Sequence, residues 1–247
     1  MVLIENCNPV TTSGSYARLF GDTKIGKLIT KIQSASITMG NDLEKQILKF
    51  AAERGAIITD DNINDFFNHT LPDGVFIIPK SIRDRRLKFS QKPDIIVVSV
   101  QKNTCKVIEI KLGDNFDTKK SSGEKEHLES YARKLDQTAG YRVSFAVCMF
   151  FADNKQAIIK GFKGMITEHE AITGRELCNL VGIDYNKISD TISTDQTENR
   201  LFLMRTMLNI FGDGIAVTEQ RELLIWFKNN RPMMWKDIFC DDCPEVK

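Results

Sequence analysis

Two short apolar runs, Ile95–Val100 and Val107–Leu112, separated by the polar segment Gln101–Thr104, constrain this chain more than any other feature. Both are rich in β-branched residues, so they read as two strands joined by a turn. Asp94 opens the first strand; Glu109 and Lys111 stand two apart near the end of the second. Residues two apart on a strand share a face, so Glu109 and Lys111 project together while Ile108 and Ile110 point the other way. In an antiparallel hairpin the start of one strand lies beside the end of the other, which brings Asp94 to the same spot.

Two carboxylates and an ammonium at the end of an apolar hairpin require partners, because ionised groups are seldom buried unless paired or bound to metal. Two acidic oxygen donors at one point suit a hard divalent cation such as Mg²⁺, which takes one or two carboxylates and completes its shell with water and phosphate oxygens. Lys111 beside such an ion is placed to orient or help deprotonate an attacking water. The competing reading is local: Lys111 neutralises Glu109 on a solvated strand face.

Pro93-Asp94 followed by Glu109-Ile110-Lys111 resembles the PD-(D/E)XK nuclease motif, most like that of type II restriction endonucleases. Leu112-Gly113, Asp117-Thr118-Lys119-Lys120 and Gly123-Glu124 are similar to the segment after the catalytic lysine in some of those enzymes. The upstream helix carrying Glu44 is similar to their acidic first helix. The resemblance covers about residues 24–151. It implies an α/β fold, a mixed central β-sheet flanked by helices, with additional C-terminal helices over about residues 152–247 packed on the core as part of one domain. It implies Mg²⁺ held by Asp94 and Glu109, with the carbonyl of Ile110 as a further ligand, and a catalytic set of Asp94, Glu109, Lys111 and Glu44. The implied activity is sequence-specific hydrolysis of double-stranded DNA to 5′-phosphate and 3′-hydroxyl ends. A homodimer on a palindromic site is the economical way to cut both strands. Two alternatives stay open: a structure-specific or repair and recombination nuclease of the same fold, and a non-catalytic DNA-binding protein that reuses it.

The basic run from Lys80 to Lys92 contains Lys80, Arg83, Arg85, Arg86, Lys88 and Lys92 against one acid, Asp84, and leads directly into Asp94. Beside a phosphodiester site such a run is suited to phosphate contacts, and Arg83, Arg85, Arg86 and Lys88, with Lys119 and Lys120 further on, are the expected DNA-binding residues. The formal net charge is only +1, so any such surface is local.

Glu44 has two readings. Asn41 and Glu44 have the spacing of a capping-box pair opening a helix with Leu43, Ile47, Phe50 and Ala51 on its apolar stripe and Gly55 at its end. Alternatively, Glu44 points at the metal site. Further helices are expected over Ile25–Ile32, Glu124–Thr138 (inner stripe Leu128, Tyr131, Leu135 and Thr138), Gly174–Leu180, Leu201–Ile210 and Glu219–Phe227. Val75–Ile78 and Tyr141–Phe151 read as strands, and residues 1–23 as an arm. Strand, strand, helix, strand with a crossover helix requires a sheet of mixed direction. His127 and His169 are isolated and read as surface residues. Cys240-Asp-Asp-Cys243 lacks the second ligand pair of a zinc site and reads as a reduced pair in a cytoplasmic protein. The N-terminus has no signal-peptide pattern, and the longest apolar run, Val143–Ala152, is too short to span a bilayer.

Overall fold

The computed structural model describes residues 14–212 except 90, 114 and 115, together with 225 and 229. Of the expected helix Glu219–Phe227 only Ile225 is described, and it is helical; the Cys240/Cys243 pair lies outside the described residues. The chain divides into two compact units, Gly40–Ile188 and a second made of Met1–Met39 with Ser189–Lys247.

The larger unit is built on a five-stranded sheet in the order β1 (Val75–Pro79), β2 (Ile95–Ser99), β3 (Thr104–Lys111), β4 (Arg142–Met149) and β5 (Ala171–Thr173). β1, β2 and β3 are antiparallel neighbours, whereas β4 runs parallel to β3 and β5 parallel to β4. This is the mixed α/β sheet expected from the order of elements. Thr104, assigned to the turn by its polarity, instead begins β3, where it pairs with both Ser99 and Arg142.

Register divides the sheet into two faces. Ile78, Ile96, Val98, Cys105, Val107, Phe145 and Val147 join one core with Leu128, Tyr131 and Leu135 of the crossover helix. That helix, running from Thr118 to Ala139, starts six residues before its expected first turn. Asp117 caps it by accepting from the Lys120 N–H at 2.9 Å, and the polar turns before Leu128 carry no apolar period that would reveal them. Thr138 is exposed, and Ala139 takes the buried place expected of it. Gly140 and Gly182 end their helices in the left-handed conformation, with φ of 69° and 71°, where a Cβ is unfavourable. The Thr173/Glu176 capping box opens the helix Gly174–Val181 as the sequence indicates.

The helix expected to begin at Asn41 begins far earlier. It is one helix, Thr23–Glu53, and Gly40-Asn41 lies inside it. Leu28, Ile32, Ala35, Met39, Leu43, Ile47 and Ala51 keep one helical stripe through that dipeptide, so side-chain packing outweighs a local propensity cost of about 1 kcal/mol. In the smaller unit, Gly14–Phe20 is a helix within the expected arm, and Ala35 packs with Ile32, Met39, Phe202 and Leu203. The expected helix Leu201–Ile210 belongs to a longer one, Tyr185–Gly212. No helix among the described residues is long and apolar enough to cross a membrane.

Candidate active site

On the helix-covered face of the sheet, Glu109 and Lys111 extend the row begun by Cys105 and Val107. Ile95 pairs with Ile108, so Asp94, one residue before β2, falls opposite Glu109. The Asp94 carboxylate is fixed by its Oδ2, which accepts from the Ile110 N–H at 2.8 Å. Lys111 Nζ lies 2.6 Å from Glu109 Oε1. Asp94, Glu109, Ile110 and Lys111 thus meet at one end of the hairpin, as strand periodicity requires.

Two further groups complete the cluster. Glu124, on the crossover helix, places Oε2 at 3.5 Å from Lys111 Nζ, while its Oε1 is buried without a hydrogen-bond partner. Lys80, one residue past β1, hydrogen-bonds Glu44 Oε2 and lies 3.3 Å from Asp94 Oδ1. Glu44 is therefore joined to Asp94 through an ammonium. It is in mid-helix and caps nothing; the capping reading fails because Asn41 is itself helical.

Sequence reasoning missed Lys80 and Glu124 as members of this site. Lys80 was legible only as part of a basic run, although its place directly after an apolar strand that pairs with β2 was a usable signal. Glu124 opens the expected helix, but no local pattern in the sequence pairs it with Lys111.

Electrostatics follow from the crowding of carboxylates. Burial pushes Glu109 up to about 7, the negative charge of Asp94 adds to this, and Lys111 opposes it without prevailing. Glu44 is likewise raised by burial against the pull of Lys80. Burial alone would lower Lys111, but Glu109, Glu124 and Asp94 together hold it above its ordinary value. Lys80 is raised in the same way by Glu44 and Asp94.

Among the described residues, no group of three or more His, Cys, Asp or Glu is arranged to hold a metal ion. The two carboxylates that do converge, Asp94 and Glu109, fit a hard cation of the Mg²⁺ type, which needs no more than one or two carboxylates from the protein.

The expected DNA-binding residues divide into an exposed group, in which Lys120 lies 3.5 Å from Asp117, and one held within the fold. Arg83, Arg85 and Lys88 are exposed on the loop between β1 and β2, and Lys119 and Lys120 are exposed on the first turn of the crossover helix. Arg86 is engaged within the protein. It donates to both oxygens of Asp84, at 3.0 and 2.6 Å, and to Asn64 at 2.7 Å, and it stacks 3.8 Å from the centre of the Phe67 ring. Lys92 donates to the carbonyls of Lys80 and Ile82 and ties that loop down. His169 is exposed as expected; His127 is half-buried, with Nε2 against the Gln91 carbonyl. A cavity of about 460 Å³ lined by Met149, Phe151, Asp153 and Lys160 includes none of the clustered groups.

No family model matches the chain, and no solved structure matches it. It is 34% identical over 209 residues to the type II restriction enzyme HhaII of Haemophilus parahaemolyticus, covering 80% of this chain and 89% of that protein. Similarity at that level, over nearly the whole of the relative, accompanies a mixed sheet with a charged corner that gathers Asp94, Glu109 and Lys111, and the chain belongs to the type II restriction enzyme family.

Proposed function

We propose that this protein is a Mg²⁺-dependent endonuclease of the PD-(D/E)XK type. It cuts double-stranded DNA at a specific sequence and leaves 5′-phosphate and 3′-hydroxyl ends. The observation that carries this reading is the meeting of Asp94, Glu109 and Lys111 at the corner of the β2–β3 hairpin, in a chain of the restriction-enzyme family.

Asp94 and Glu109, with the Ile110 carbonyl, would hold the cation. Bound there, Mg²⁺ would supply an activated water and positive charge against the transition state. Asp94 is oriented for this by the Ile110 N–H, so its carboxylate needs little rearrangement. Lys111 directs its ammonium at the attacking water or the phosphate, with Glu124 holding it from the helix side. Arg83, Arg85, Lys88, Lys119 and Lys120 contact phosphates and set the register of the duplex, a role that carries no sequence information by itself. A homodimer then presents two such sites to the two strands.

Incubating the purified protein with phage DNA and Mg²⁺ tests this. Discrete fragments with 5′-phosphate ends are expected. A smear would point to a nuclease without sequence preference, and intact DNA would sink the catalytic reading in favour of a binding module.

A further inference from the structure

Both oxygens of Asp94 are engaged, but by donors of different kinds. Oδ2 faces the Ile110 N–H, a backbone group fixed by the sheet. Oδ1 faces the Lys80 ammonium at 3.3 Å, the end of a flexible side chain that is 41% exposed. A cation that binds through Oδ1 competes there with Lys80, whose flexible side chain can swing away, while Oδ2 can keep its bond from the Ile110 N–H.

Charge points the same way. With every group ionised, the four carboxylates of Glu44, Asp94, Glu109 and Glu124 face the two ammonium groups of Lys80 and Lys111. The surplus is two negative charges, which one divalent ion balances. Lys80 also heads the loop that carries the exposed Arg83, Arg85 and Lys88, so an ammonium released from Asp94 joins a surface already suited to phosphate.

We propose that Lys80 is an active-site residue with two sets of partners in turn: the carboxylates of Glu44 and Asp94 before the divalent cation binds, and a phosphate oxygen of the DNA once that cation takes its place at Asp94. This inference rests on the nuclease reading above. It makes Lys80 a competitor of the metal in the free protein and a contributor to phosphate charge neutralisation in the complex.

Those two roles give opposite effects in one variant. In Lys80→Gln, Mn²⁺ alone, titrated against the melting temperature of the full-length protein without DNA, should bind about tenfold more tightly, because a competing positive charge is gone. Cleavage at saturating Mn²⁺ and DNA should fall about a hundredfold, because a transition-state contact is lost. Lys80→Met keeps the aliphatic stem and carries the same two expectations should the glutamine variant lose its fold. Lys80→Arg should restore much of the cleavage.

A merely structural ion pair would predict unchanged or weaker Mn²⁺ binding, and that result would overturn the proposal. Asp94→Asn separates the two levels. If it loses both Mn²⁺ binding and cleavage while Lys80→Gln shows no tightening, only the Lys80 inference fails. If Asp94→Asn retains both, the nuclease site itself is misassigned.

Discussion

Lys111 and Glu109 differ in what their removal should reveal. In the proposed mechanism Lys111 takes part in the chemistry without being a ligand, so Lys111→Ala should keep DNA affinity and lose cleavage by about two orders of magnitude or more, measured as single-turnover rate beside a binding titration. Near wild-type cleavage would remove it from the reaction. Glu109 should declare itself without any substrate. Its carboxyl is raised in the fold from an ordinary 4.5, first by burial and then by Asp94, so protonation favours the folded state. The stabilisation is complete below the unfolded value and is lost as pH rises through the folded one. In metal-free buffer the melting temperature should therefore fall between about pH 5 and 7, and Glu109→Gln should make that fall shallower. Some fall should remain, because Glu44 is raised in the same direction. An equally steep profile in the variant would place the titration elsewhere.

The loop between β1 and β2 shows why a count of basic residues is a poor guide to which of them are open to a partner. Arg85 and Arg86 are adjacent in sequence and opposite in circumstance. Arg85 is exposed, whereas Arg86 is held by Asp84, Asn64 and the Phe67 ring. Arg85→Ala should make the salt dependence of DNA binding shallower by about one unit in log–log slope and leave stability alone. Arg86→Ala should keep the slope and lower stability by about 1 kcal/mol, by melting temperature, since it breaks an interlocked set of contacts. The reverse pattern would mean that the loop rearranges on DNA. Elements whose signals are local were legible: the β2–β3 hairpin, and the helix Gly174–Val181 with its capping box and terminal glycine. Those whose limits depend on tertiary packing were not. The Thr23–Glu53 helix runs through Gly40-Asn41 because its stripe stays in phase, and the crossover helix begins in a polar stretch marked only by Asp117.

At the scale of the whole molecule, the candidate site is legible to the extent that it is close in sequence. Asp94, Glu109 and Lys111 fall on one hairpin, and strand periodicity alone brings them together. The Lys80–Glu44 link spans 36 positions and depends on where a helix lies against the sheet, which no local pattern encodes. Among the described residues each chain has a single such cluster, and a duplex has two strands. If the enzyme works as a symmetric pair, each protomer cuts one strand, and the proposal becomes testable by mixing. Equal amounts of wild type and Lys111→Ala, allowed to exchange subunits, should give about half heterodimers by chance. These contain one working site and should nick supercoiled plasmid at the recognition sequence without linearising it. Open-circular product should then accumulate well above its level with diluted wild type, and it should do so only after exchange. A monomer that cuts both strands in succession predicts otherwise: the inactive variant would compete for sites and slow the reaction, but the ratio of nicked to linear product would not change. That outcome would remove the homodimer from the proposed mechanism while leaving Asp94, Glu109 and Lys111 in their roles.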